Sequence, residues 1–268
     1  MSKDLGSLAG LVAFAHDLAD RSGRVILPHF RAGVGVDNKA GPDEYDPVTI
    51  ADRDAESAIR ARIKEVHPDH GILGEEHGFE AGAGKLTWVI DPIDGTRAFI
   101  AGLPLWGTLI ALRDEHRPIV GVMDQPFTGE RFVASALGGE MRRGAARTQL
   151  RSRACAKIED AVVMSTNPHL FPPNELEVFD AVRARARLVR YGGDCYAYAM
   201  IALGTVDAVI ESGLKPYDIQ ALVPIIEQAG GVVTTWSGGP PDDGGQILAA
   251  GDRALHDALM TALRPAAH

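Results

Sequence analysis

Three acids in the first half of the chain can build one site. Glu75 follows Gly74, and Asp91 and Asp94 stand three residues apart in Trp88-Val89-Ile90-Asp91-Pro92-Ile93-Asp94-Gly95-Thr96. An apolar run ending in Asp91 predicts a strand, and a strand end is a rigid place to present a carboxylate. Pro92 restricts the backbone between the two aspartates. Carboxylates grouped in this way suit a hard cation such as Mg²⁺, which takes oxygen ligands and shares them with substrate phosphate. The Ile93 carbonyl is a further oxygen between the two acids. Gly95 and Thr96 open a predicted helix through Ile100. Free N–H groups at such a start suit a phosphate, and Gly95 permits close approach. The chemistry that fits is metal-assisted attack of water on a phosphate monoester, with bound cations reversing the repulsion between phosphate and carboxylates. The same residues also fit a plain turn in which Asp94 caps the helix.

These acids need elements to hold them. Apolar positions Leu11, Phe14, Ala15, Leu18, Val25 and Ile26 predict a first helix from about Ser7 to Phe30. Asn38 to Pro47, including the Gly- and Pro-containing stretch Lys39 to Asp46, reads as a loop. Ala51, Ala55, Ile59 and Ile63 mark a second helix from Thr49 to Val66. Strands are expected at 71–74, 87–90, 108–112, 118–124 and 131–135, with a turn at Gly138-Gly139-Glu140. The basic segment Gly144 to Lys157 reads as a join. Beyond it short strands alternate with helices, one of them spanning Ile219 to Ala229. The pattern predicts a layered α/β (α+β) protein. We expect a single domain over 1–268, made of two closely packed halves of about 1–145 and 146–268.

The chain has 268 residues, 46% hydrophobic and 24% charged, with a net charge of −9. That balance fits a soluble globular protein and argues against non-specific nucleic-acid binding, which needs basic patches. Acidity does not exclude a phosphorylated substrate where cations reverse the local field. Cys155 and Cys195 form no zinc spacing and read as reduced thiols of a cytoplasmic protein. No apolar run is long enough to span a membrane. Gly82-Ala83-Gly84-Lys85 fails as a P-loop, because Phe79 and Leu86 stand at required positions. There is no G-x-S-x-G and no HExxH, and His77 reads as a loop residue.

Asp91-Pro92-Ile93-Asp94-Gly95-Thr96 after Trp88-Val89-Ile90 resembles the signature of the inositol monophosphatase-like family of Mg²⁺-dependent phosphatases. Gly74-Glu75-Glu76 matches the family's upstream element, and Tyr217-Asp218 its downstream one. Asp46-Pro47-Val48-Thr49-Ile50-Ala51-Asp52 resembles its D-x-V-T-x-x-D segment. The resemblance implies an αβαβα sandwich, commonly a homodimer, holding two or three Mg²⁺ ions per site. It implies that Glu75, Asp91 and the Ile93 carbonyl hold one metal, and that Asp91, Asp94 and Asp218 hold a second. Glu75 would help hold a third. Asp94, Gly95 and Thr96 would contact the substrate's phosphate, and Asp52 would pair with Thr96 to activate the attacking water. Glu76 reads as a surface acid. Asp218 alone also reads as a helix N-cap.

Gly192-Gly193-Asp194-Cys195-Tyr196-Ala197-Tyr198, with Glu211 to Asp218, resembles the histidinol-phosphate phosphatase branch. Inositol monophosphatases usually carry small uncharged residues where Asp194 stands. Histidinol phosphate has an ammonium group and an imidazole, so its pocket should offer acids beyond those on the metals. Asp194 and Glu211 meet that need, although Asp194 also fits a helix cap. The expected reaction is Mg²⁺-dependent hydrolysis of histidinol phosphate, with inositol-1-phosphate or a broad range of sugar phosphates as the alternative.

Overall fold

The computed structural model describes residues 6–33, 35–38 and 47–268. The elements run in the order α1 (Leu8–Ile26), β1 (Val36–Asn38), β2 (Pro47–Thr49), α2 (Ile50–Val66), β3 (Gly71–Gly74), β4 (Gly78–Glu80), β5 (Thr87–Asp94), α3 (Thr96–Ile100), β6 (Gly107–Arg113), β7 (Pro118–Gln125), β8 (Glu130–Ser135), β9 (Gly138–Arg143) and β10 (Ala146–Gln149). They continue with β11 (Val162–Ser165), α4 (Pro173–Arg183), β12 (Leu188–Tyr191), α5 (Asp194–Ala202), β13 (Ala208–Leu214), α6 (Pro216–Ile219), α7 (Leu222–Gln228), β14 (Val232–Thr235), β15 (Gly245–Ala250) and α8 (Arg253–Leu263).

An eight-stranded sheet has the order β10-β9-β8-β7-β6-β5-β3-β4, and a five-stranded sheet the order β12-β11-β13-β15-β14. The burial pattern stacks them in layers. Leu11, Phe14 and Leu18 of α1 and Ile59 and Ile63 of α2 pack on Trp88, Ile90, Ile110 and Val122, one face of the large sheet. The opposite face, with Val89, Leu109 and Met123, shares a core with α5, α7 and the inner face of the small sheet. The outer face of the small sheet packs on Phe179 of α4 and Leu255, Leu259 and Leu263 of α8. The result is the expected αβαβα sandwich. Each sheet is covered on both faces, so its central strands are apolar throughout, and period-2 alternation is weak in them.

Four expectations change. The 138–140 segment is not a turn: β9 begins there, pairing with β8 on one side and β10 on the other. Asn38 and Pro47 lie not in a loop but in a two-stranded ribbon, Asn38 opposite Pro47. The Lys39 to Asp46 stretch, and with it Asp46 of the motif, lies outside the described residues. The expected helix over 219–229 is divided into α6 and α7. The strand expected to stop at Asp91 continues to Asp94, with consequences for the site.

Candidate active site

β5 is where the acids are aimed. Trp88 and Ile90 face the outer helices while Val89 faces the middle layer, so by alternation Asp91 faces the middle layer too. Three residues further on, a regular strand would send Asp94 to the opposite face. It does not, because the strand is bulged. Asp91 pairs with Leu109 and Asp94 with Gly107. Three steps on β5 oppose two on β6, and the extra residue restores parity, so Asp94 rejoins the face of Asp91. The bulge is pinned by the Ile93 N–H to Asp91 Oδ1 at 3.0 Å and by the Thr108 hydroxyl to the Pro92 carbonyl at 2.8 Å.

Carboxylate oxygens of Asp91, Asp94 and Asp218 lie within 4.8 Å of one another. Asp218 arrives from α6, where its Oδ2 accepts the Lys215 N–H at 2.6 Å. It sits inside the first turn and caps it from there, so the capping and clustering readings hold together. Asp94 Oδ2 accepts the Cys195 N–H at 2.6 Å, which docks the start of α5 on the cluster across 101 residues of sequence. Glu75 follows directly on β3, which runs parallel to β5. Its N–H donates to the Ile90 carbonyl at 3.2 Å, and its carboxyl is hydrogen-bonded to that of Asp91.

Burial raises the Asp91 carboxyl well above the usual range, and Glu75, Asp94 and Asp218 add to the shift. Burial also raises Asp94, reinforced by Asp194 and Asp218 and opposed by the Cys195 N–H. Asp218 is pushed up to about 7 by burial, against the pull of the Lys215 N–H. Converging carboxylates that resist ionisation are what a hard divalent cation relieves. The all-oxygen donor set fits such an ion.

The expected pairing of Asp52 with Thr96 is replaced. Asp52 Oδ2 accepts from the Thr49 N–H at 2.8 Å and the Thr49 hydroxyl at 2.5 Å, closing a capping box at the start of α2. Thr96 donates its hydroxyl to the Ile93 carbonyl at 3.0 Å. Asp52 still faces the cluster electrostatically: burial first, and Glu75 in addition, raise its carboxyl. Gly95 sits before α3 at φ 84°, where a Cβ would stand 2.7 Å from the Leu105 carbonyl oxygen, so glycine is required on two counts.

A cavity of about 270 Å³ opens beside the cluster, lined by Asp94, Gly95, Thr96 and Asp218 together with Asp194 and Glu211. Asp194 has a left-handed backbone, φ 43°, rare outside glycine. It opens α5 without acting as its N-cap, a position that Gly193 fills. Burial pushes it up to about 6, opposed by a hydrogen bond from Thr166 and by Arg97. Glu211 is pushed up to about 7 by burial, and its oxygens already accept from the Thr166 N–H, the Thr166 hydroxyl and the Tyr198 hydroxyl. Thr166 is a residue that sequence reasoning did not single out, and Cys195 and Tyr198 stand in a sequence motif that does not reveal these hydrogen-bonding roles. Their partners are distant in sequence, so no local pattern shows these bonds. Among the described residues no helix is long and apolar enough to cross a membrane, and both cysteines are free of disulfides.

The signature of the inositol monophosphatase family matches residues 7–268. The chain is 41% identical over 267 residues to the bifunctional phosphatase IMPL2, chloroplastic, of Arabidopsis thaliana, covering 94% of this chain and 74% of that one. It is 34% identical over 251 residues to a histidinol-phosphatase of Chlorobaculum parvum, covering 93% of this chain and 95% of that one. A solved inositol monophosphatase from Zymomonas mobilis superposes with a TM-score of 0.85 at 39% identity, over 97% of this chain and 99% of that one. Sequence motifs, layer order and acidic cluster agree: this chain belongs to the inositol monophosphatase family of phosphatases.

Proposed function

We propose that this protein is a Mg²⁺-dependent phosphomonoesterase that hydrolyses histidinol phosphate to histidinol and phosphate. The observation that carries the reading is the single cavity in which Asp94 and Asp218 meet two further acids, Asp194 and Glu211. The first pair belongs to the cluster that fits a cation. The second pair gives the cavity negative charge that a polyol phosphate would not need and an ammonium-bearing substrate would use.

Glu75, Asp91, Asp94, Asp218 and the Ile93 carbonyl would hold the metal. Bound divalent cations supply Lewis acidity toward the phosphoryl oxygens and the attacking water. The chain's own groups do the rest. Gly95 and Thr96 line the wall assigned to the phosphate. Asp52, buried and close enough to Glu75 to feel its charge, is the residue assigned to accept a proton from water. Its capping bond to Thr49 must then be shared or released. Asp194 is the acid assigned to the substrate's ammonium group. Glu211, already engaged by Thr166 and Tyr198, adds charge and shape to the wall. A cytoplasmic location and a homodimer belong to the same proposal and are checked by fractionation and solution mass.

The test is phosphate release from histidinol phosphate and inositol-1-phosphate, side by side with Mg²⁺. Preference for histidinol phosphate supports the reading. Equal or better turnover of inositol-1-phosphate transfers it to the alternative, a sugar-phosphate phosphatase.

A further inference from the structure

α2 presents two acids one helical turn apart. Asp52 faces the cluster. Glu56 points at the loop between β3 and β4 that carries Glu75. The Glu56 side chain is fully buried. Its Oε1 accepts from Arg60 Nε at 2.7 Å and from the His77 N–H at 3.2 Å, and its Oε2 accepts from the Glu76 N–H at 2.7 Å. Arg60 also donates to the Gly78 carbonyl. On the other side of Glu75, a Cβ on Gly74 would overlap the Glu56 carboxylate. The backbone is therefore pinned to Glu56 immediately before and immediately after Glu75.

A buried ion pair of this kind is a poor source of stability, because desolvating both charges offsets their attraction. What it does supply is geometry. Three directed bonds and one close glycine contact leave the loop a single position. In that position the Glu75 carboxyl meets that of Asp91.

We infer that Glu56 is a positioning residue for the metal cluster: by clamping the 74–78 loop it sets where Glu75 meets Asp91, and so how tightly the cluster holds a divalent cation. The inference rests on the metal-dependent reading above and is independent of which phosphate ester is the substrate.

The test uses the full chain with Mn²⁺ as probe, its binding followed by calorimetry or electron paramagnetic resonance without substrate. Glu56→Gln keeps the side chain's size but turns one accepting oxygen into a donor facing an N–H. Supporting partners of metal-facing groups change affinity by about ten- to a hundredfold when altered. That loss of Mn²⁺ affinity is expected here, with a matching rise in the Mg²⁺ concentration for half-maximal phosphate release. The rate at saturating Mg²⁺ stays close to wild type. Gly74→Ala, whose Cβ would overlap the Glu56 carboxylate and so force loop and carboxylate apart with the Glu56 and Arg60 side chains chemically intact, should act in the same direction. It carries the test if Glu56→Gln does not fold. Wild-type Mn²⁺ affinity in whichever variants fold would overturn the inference, as would failure of both to fold, which makes the role merely structural. A wild-type protein that binds no Mn²⁺ would sink the metal reading as well, which tells the two failures apart.

Discussion

The acids in and beside this cavity come in two sets, and they are held in different ways. Glu75, Asp91 and Asp94 come from the ends of β3 and β5 and are turned toward one another, so Asp91 is raised by burial and then by its own neighbours. Asp194 and Glu211 come from the second half of the chain: Glu211 is satisfied by the Thr166 N–H and hydroxyl and by Tyr198, while Asp194, with Thr166 and Arg97 beside it, also adds to the repulsion on Asp94. Unrelieved repulsion marks a place that waits for positive charge. Satisfied acids mark a wall with a fixed shape. We read the first set as the reacting centre and the second as the selecting one. Asp218 belongs with the first by contact, although its chain position is with the second.

The largest effect should come from Asp91→Asn. Asparagine can still accept the Ile93 N–H, so the bulge survives, but a charge needed for the cation is gone. Phosphate release should fall about a thousandfold, equivalent to several kcal/mol of lost charge stabilisation. The metal-free melting temperature should stay at or above that of wild type, because a repulsive carboxyl has been removed, and Mg²⁺ should no longer raise it. A melting temperature well below wild type would show Asp91 to be structural.

Asp194→Asn should divide substrates and leave the chemistry alone. With one charge-assisted hydrogen bond lost, kcat/KM for histidinol phosphate should drop about ten- to a hundredfold. The value for inositol-1-phosphate should hold or rise. An equal drop on both substrates would erase the distinction between the two sets.

The smallest effect is a pH dependence. Asp218 and Glu211 titrate at about 7 and Asp194 at about 6 in the folded protein, against about 4 in an unfolded chain. Folded-state values raised in this way give stability that is fully present below about pH 4 and lost as pH rises through about 7. The metal-free melting temperature should therefore fall between pH 5 and pH 8. Mg²⁺ should restore more at pH 8 than at pH 5, because it binds the deprotonated cluster and must displace protons at the lower pH. A Mg²⁺ gain that is the same at both values would contradict the raised carboxyls.

Much of this was legible in the sequence, for physical reasons that differ by residue. Asp91 and Asp94 stand out because an apolar run ends in acid. That the protein is layered follows from strands alternating with helices, whereas the αβαβα order is implied only by the family resemblance. The bulge is not legible, since it depends on β6 pairing two residues against three. The Asp52–Thr96 pairing fails because Thr49, three residues from Asp52, offers both a hydroxyl and an N–H at no cost in loop closure. Glu56 reads as an ordinary helical acid with Arg60 four residues on. Its burial is decided by a loop that reaches it from 20 residues away. Gly138 to Glu140 looks like a turn because two glycines adjoin, yet strand neighbours on both sides recruit it.

The most direct measurement is phosphate release from histidinol phosphate by chelator-stripped protein, titrated with Mg²⁺, for wild type and Asp94→Asn. Wild type should be inactive when stripped and recover fully with Mg²⁺. Asp94→Asn, whose side chain can still accept the Cys195 N–H, should stay folded and recover little at any Mg²⁺ concentration. Turnover without metal, or full Mg²⁺-dependent recovery in Asp94→Asn, would contradict the assignment of the reaction to this cluster.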